Sequence, residues 1–190
     1  MRTWALEALQ AKPGERILDV GCGPAYYVEK GLPGVDYIGF DTDERYVEQA
    51  RERLPSARIY CDNFGERYAK ELGPFDGVIM MGLLHHLEDE VADDLLGIMA
   101  RSLTPHGRVI ALDTTFFEGQ SALSRFLAKN DRGDHVRTQR GFERLAEKHF
   151  ASIEGRIVGD TLSCPAASWL MVCRDPHARD AEAHAGPARA

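Results

Sequence analysis

The chain has 190 residues, is 44% hydrophobic and carries a formal net charge of −7. That length gives one domain with a real core, and the acidic balance disfavours a nucleic-acid surface, which needs clustered Lys and Arg. No apolar run approaches the ~18–20 residues of a membrane helix and no basic-then-apolar leader opens the chain, so a cytoplasmic protein without membrane association is expected.

Thr3 to Ala11 predicts a short amphipathic helix ended by Pro13-Gly14. Arg16 to Val20 is the first strand, followed by a turn and a helix carrying Tyr26, Tyr27 and Val28 that Pro33-Gly34 breaks. Tyr37 to Phe40 is the second strand. Asp43 to Leu54 is a helix with Tyr46, Val47 and Ala50 inside. A third strand spans Arg58 to Cys61, and a fourth, starting near Gly77, is apolar throughout, as a parallel strand buried on both faces should be.

Val91 to Leu103 is the next helix, with Leu95, Leu96, Ile98 and Met99 facing the sheet, and Arg108 to Leu112 is the fifth strand. Gly141 to Phe150 is helical, while Ser152 to Val158 and Ser168 to Cys173 are strand-like and, coming in succession, form an antiparallel pair. The alternation predicts an α/β, Rossmann-like, doubly wound and mostly parallel sheet of seven strands with a C-terminal antiparallel hairpin. Residues 1–174 make the single domain and 175–190 a disordered tail poor in large apolar residues. The segment 114–138, with an amphipathic piece from Ala122 to Ala128, sits where a lid would cover the carboxyl ends of the strands.

The chemistry concentrates in Ile17-Leu18-Asp19-Val20-Gly21-Cys22-Gly23-Pro24-Ala25. A buried strand runs into an acidic residue and a small-residue turn, where backbone can approach a nucleoside-bearing cofactor closely. A second acid, Asp41, ends the next strand 22 residues after Asp19, the length of a β-turn-α-β unit. A dinucleotide fingerprint needs a third Gly where this chain has Tyr26, and Pro24 lies inside the turn, so a nicotinamide oxidoreductase is disfavoured.

The pattern D-x-G-x-G-x-A instead resembles the first motif of class I S-adenosylmethionine-dependent methyltransferases, with Ala25 where that family usually has Gly. The resemblance runs from Ile17 to Asp113. Asp41-Thr42 is similar to the second motif, whose carboxylate accepts from both ribose hydroxyls. Arg58 to Asn63 is similar to the third, in which Asp62 or Asn63 would meet the adenine amino group. Phe75 to Met81, followed by Gly82-Leu83-Leu84-His85-His86-Leu87, is similar to the fourth, which lies beside the reactive methyl. The resemblance implies S-adenosyl-L-methionine as cofactor, held by Asp19, Gly21, Cys22, Gly23, Asp41, Thr42, Asp62, Asn63 and Met81. Asp19 would orient the turn and the cofactor's ammonium end.

For a hydroxyl acceptor a base is needed, and His has a suitable pKa. His85 and His86 are the catalytic candidates, as base or acceptor anchor. Packing or capping at the start of the next helix is the plainer role, and the two are not separable from sequence. Asp113 lines the acceptor pocket or caps a turn. Arg132, His135 and Arg137 bind an anionic acceptor or belong to a solvated loop. Cys22, Cys61, Cys164 and Cys173 lack C-x-x-C spacing and read as reduced small hydrophobes, and no metal site is indicated.

The expected function is methyl transfer to a small-molecule or sugar-containing acceptor. Asp131 to Thr138 and Leu170 to Cys173 faintly resemble methyltransferases encoded with surface-polysaccharide genes. The alternative is a catalytically silent S-adenosylmethionine-binding subunit supporting a partner, and a homodimer stays open.

Overall fold

Along the central strand β1 (Arg16–Val20), Leu18 and Val20 point to one face of the sheet and Ile17 and Asp19 to the other. The same alternation divides β2 (Asp36–Asp41), β4 (Phe75–Met81) and β5 (Leu103–Phe116), so each strand feeds two cores. Leu18, Ile38, Val78, Met80, Val109 and Ala111 belong to the first core, and Ile17, Tyr37, Ile79, Ile110 and Leu112 to the second. The computed structural model describes residues 2–160 and 164–177.

The second face is covered by α1 (Arg2–Leu9), α2 (Val28–Gly31) and α3 (Glu44–Arg53). The first is covered by α4 (Glu66–Leu72), α5 (Asp89–Arg101) and, after the short α6 (Ala122–Lys129), by α7 (Gln139–Ala146). Strands β3 (Arg58–Cys61), β2, β1, β4 and β5 lie side by side and parallel. Beyond them β8 (Ser168–Pro176) pairs antiparallel with both β5 and the edge strand β7 (Phe150–Val158). A two-residue strand, β6 (Arg137–Thr138), pairs parallel with Thr115 and Phe116 at the far end of β5. The doubly wound sheet with its C-terminal antiparallel hairpin is therefore as the sequence predicts, with β6 as an added eighth strand.

Several boundaries differ for local reasons. Helix α4 has no sequence counterpart, because its seven residues Glu-Arg-Tyr-Ala-Lys-Glu-Leu bury only Ala69 and show almost no apolar period. Helix α5 starts at Asp89 instead of Val91, and α1 stops at Leu9. Strand β5 is longer at both ends: it begins at Leu103, absorbs Pro105-His106-Gly107 through a register shift opposite Asp76, and runs on to Phe116. Tyr46 of α3 is exposed, not inside, while Val47 and Ala50 are buried. Of the expected tail, Asp175 and Pro176 end β8 and the His177 backbone N–H donates to the His149 carbonyl, while 178–190 lies outside the described residues.

Candidate active site

The carboxyl ends of β1, β2 and β4 open onto a cleft of about 320 Å³. Its floor is Val20, Gly21 and Phe40, and one wall is Asp41 and Thr42 with Tyr46 above them. Asp62, Asn63 and Phe64 close the β3 side, and Gly82, Leu83 and His86 close the β4 side. Gly21 has φ +75°, a conformation that Gly adopts without strain, and it turns the chain so that backbone lies against the open space. A hollow of about 340 Å³ between α1 and the β7–β8 hairpin is lined by residues that include Glu7, Glu154, Arg156 and Arg174, and none of the candidate catalytic or cofactor-binding residues reaches it.

Asp41 is wired into the turn. One carboxylate oxygen accepts the Gly23 N–H at 2.8 Å and the other the Asp43 N–H at 2.9 Å. Two backbone donors on one carboxylate hold it in a single orientation at the lip of the cleft. Asp43 then caps α3 by accepting the Arg45 N–H at 2.9 Å. Asp62 accepts from the Tyr68 hydroxyl at 2.7 Å and from the Asn63 N–H, and the first of these holds its carboxyl below the ordinary range. Thr42, Asp62 and Asn63 thus stand where a nucleoside's polar edges would be met.

Asp19 does not line the cleft. Strand alternation turns it to the α1–α3 face, fully buried, where it accepts hydrogen bonds from Tyr37, at 2.5 Å, and from Tyr27. It therefore anchors the chain entering α2. Burial, followed by the charge of Asp19, holds the Tyr37 hydroxyl well above its usual pKa. Cys22 is also buried, and burial with the nearby charges of Asp19 and Asp41 pushes its thiol up. Its backbone N–H donates to the Phe40 carbonyl at 2.9 Å and its thiol to the Gly23 carbonyl at 3.4 Å, both within the turn. Met81 packs into the second core. Tyr26 is exposed beneath the Arg53 guanidinium.

The two histidines, inseparable in sequence, have different surroundings. They occupy a single 3-10 turn, Leu84–His86, with ring centroids 4.2 Å apart. His85 is buried, and both ring nitrogens face carboxylates: Nδ1 lies 2.7 Å from Asp113 and Nε2 lies 3.0 Å from Asp131. Asp113 also accepts the His85 backbone N–H at 3.1 Å. Burial opposes a charge on this ring, but the hydrogen bond and charge of Asp113, aided by Asp131, outweigh it and raise the pKa. His86 is exposed at the cleft, and burial together with the adjacent charge of His85 lowers its pKa against the pull of Asp131, Asp113 and Asp134. The carboxylates thus favour the charged form of one ring, while the surroundings of its neighbour favour the neutral form.

Asp131 belongs to the 114–138 segment, which fastens directly onto the 84–87 turn. The Thr114 hydroxyl donates to Asp131 at 3.0 Å, and the Gly133 N–H donates at 3.1 Å. The His135 N–H donates to the His85 carbonyl at 3.0 Å. Arg137, only 9% exposed, donates to the carbonyls of Leu84 and Leu87, each at 2.6 Å, and pairs with Asp89. Arg137 is therefore a clamp, neither an anion receptor nor part of a solvated loop, whereas Arg132 is exposed. Nothing local in the sequence marks Asp131 or Thr114 as parts of this cluster. Asp131 stands 46 residues from its partner His85 and 17 from its partner Thr114. Among the described residues no group of three or more His, Cys, Asp or Glu is placed to hold a metal ion.

With this geometry in place, similarity to known proteins becomes informative. Residues 17–107 match a family model described as a methyltransferase domain. The chain is 33% identical over 102 residues to the probable tRNA methyltransferase 9B of Homo sapiens, covering 53% of this chain and 22% of that protein. It is 27% identical over 119 residues to the tRNA U34 carboxymethyltransferase of Pseudoalteromonas translucida, covering 60% of this chain and 36% of that one. The chain thus spans well under half the length of these curated relatives. Among solved structures, the N-methyltransferase NodS from Bradyrhizobium japonicum, in complex with S-adenosyl-L-homocysteine, superposes with a TM-score of 0.68 at 17% identity, over 93% of this chain and 85% of that one.

Proposed function

We propose that the chain is a class I S-adenosylmethionine-dependent methyltransferase that methylates a small-molecule or sugar-containing acceptor at the mouth of the β1–β2–β4 cleft, with His86 as the base or anchor. S-adenosylmethionine, the family's cofactor, supplies an electrophilic methyl on a cationic sulfur that leaves as a neutral thioether. The residues here suit it: a backbone-held carboxylate at Asp41 for a ribose diol, an apolar Phe64 wall for a base, and Gly21 where close approach is needed. Gly82, Leu83 and His86 form the edge nearest an incoming acceptor.

The observation that carries the role of His86 is the partition of the pair. His85 has both nitrogens committed to carboxylates, while His86 faces the cleft with its pKa lowered, which favours the form that can take a proton. The 114–138 segment, docked on the same turn, covers the acceptor side as a lid. Two curated relatives carry tRNA-directed names, but the cleft lining contains no Lys or Arg to meet a phosphate backbone.

The test follows S-adenosylhomocysteine release in a panel of hydroxyl- and amine-bearing small molecules, sugar nucleotides and transfer RNA. Turnover with a small acceptor, lost in His86→Ala while S-adenosylhomocysteine affinity holds, supports the reading. Turnover on transfer RNA alone would replace its acceptor, and full activity in His86→Ala would remove the base.

A further inference from the structure

Helix α6 is built inside out. It buries Ser124 and Ala128, one turn apart, and exposes Leu123 (56%), Phe126 (62%) and Leu127 (37%). A helix that packs on a protein core does the reverse. At about 100° per residue, Phe126 falls nearly opposite the Ser124–Ala128 line. Leu123 and Leu127 flank it on one side, and Arg125 and Lys129 on the other. Arg132 follows one turn later in the chain. Arg125, Lys129 and Arg132 form no ion pair among the described residues, while Asp131 in the same segment is already bound to His85 and Thr114. Glu118 and Asp134 are the remaining acids of the segment, so its outward charge is positive in a chain of net −7.

We propose that α6 is a docking surface for an anionic lipid bilayer, with Phe126, Leu123 and Leu127 entering the acyl boundary and Arg125, Lys129 and Arg132 meeting headgroup phosphates. Apolar residues beside a cationic edge are the pattern of helices that lie in a membrane interface. A second copy of the chain fits less well. The exposed apolar patch is on the order of 300 Å², against the ~800 Å² per partner that a stable dimer buries, and two copies would juxtapose like charges. No helix among the described residues is long and apolar enough to cross a membrane, but surface docking needs no such helix. The expectation of no membrane association rested only on that missing run. The contact is weak and reversible, since three side chains enter and the rest of the acidic chain is repelled. It does not depend on which group accepts the methyl.

The test is co-sedimentation of the full chain with phosphatidylcholine vesicles and with vesicles also containing phosphatidylglycerol, at low and physiological salt. Binding is expected to the mixed vesicles, reduced by salt, and little to the neutral ones. The triple variant Leu123→Gln, Phe126→Gln, Leu127→Gln should lose binding with its circular dichroism and urea midpoint retained. Arg125→Gln with Lys129→Gln should weaken binding about fivefold per cation, which decides the matter if the triple variant fails to fold. No sedimentation with either vesicle, a folded triple variant that binds like the parent, or a dimer in analytical ultracentrifugation that the triple variant abolishes would each overturn the proposal.

Discussion

Asp113 holds His85 twice through one carboxylate oxygen, accepting its ring Nδ1 at 2.7 Å and its backbone N–H at 3.1 Å. The residue that ends the inner part of β5 therefore fixes both the rotamer and the backbone of the turn after β4. Asp131 takes the other ring nitrogen, so His85 joins the sheet, the turn and the 114–138 segment.

Asp113→Ala should unseat that junction. Removing one partner of a buried, hydrogen-bonded charge pair costs about 3–5 kcal/mol, and the value here should fall near the lower end because His85 can shed its proton. Urea unfolding checks it. A loss below about 0.5 kcal/mol, the scale of an ordinary surface change, would show that the pair contributes little.

The junction has a pH window. The pKa of His85 is raised, so its contribution is complete below its ordinary 6.5 and is lost as pH rises through the raised value. That of Asp131 is lowered, mainly by the Gly133 N–H and Thr114 hydroxyl acting against burial, so its contribution is complete above 3.8 and is lost as pH falls through the lowered value. Both are present between about pH 4 and 6.5. Melting temperatures across pH should decline on the alkaline side of that window in the parent, and that decline should shrink in His85→Gln.

Kinetics should separate the histidines in the same way. His86→Ala should lower kcat by 10²–10⁴-fold if His86 is the base, with S-adenosylhomocysteine affinity unchanged. His85→Gln removes the positive charge that helps keep the pKa of His86 low, so the acid limb of the kcat/KM profile should move to higher pH. An unmoved limb would mean that His85 acts only by packing.

Gly133→Ala tests the docking of the 114–138 segment without removing a charged group. A Cβ at this position would land on the His85 ring and carbonyl, and backbone there cannot retreat. Overpacking of this kind costs about 1–3 kcal/mol. Amide exchange should quicken at the His135 N–H, which donates to the His85 carbonyl, and cofactor affinity should hold within about twofold, a shift of only ~0.4 kcal/mol.

For the cofactor, Asp41→Ala removes a charged acceptor shared by Gly23 and Asp43. Hydrogen bonds to charged groups contribute about 1.5–3 kcal/mol each, so calorimetry with S-adenosylhomocysteine should show at least a tenfold weaker Kd, with Asp41→Asn in between. Unchanged affinity would sink the ribose assignment.

The sheet was legible because its evidence is local. The short apolar runs of β1 and β2, buried on both faces, the Gly21–Gly23 turn and the Pro55 stop after α3 all announce themselves within a few residues. Helix α4 was not legible, since a helix that buries one alanine has no period to read. Asp19 shows a subtler limit: its position in the motif was plain, but the side it faces is set by strand parity, and Val20, not Asp19, reaches the cleft. The difference between His85 and His86 is set by Asp113 and Asp131, which only the folded chain brings near.

The 114–138 segment grips the 84–87 turn chiefly by main-chain carbonyls: Arg137 holds those of Leu84 and Leu87, and the His135 N–H holds that of His85. Every residue type offers the same carbonyl. Leu83, whose side chain takes no part in that grip, is thus at liberty to change, and substitution there would reshape the edge of the cleft while the 114–138 segment stays seated.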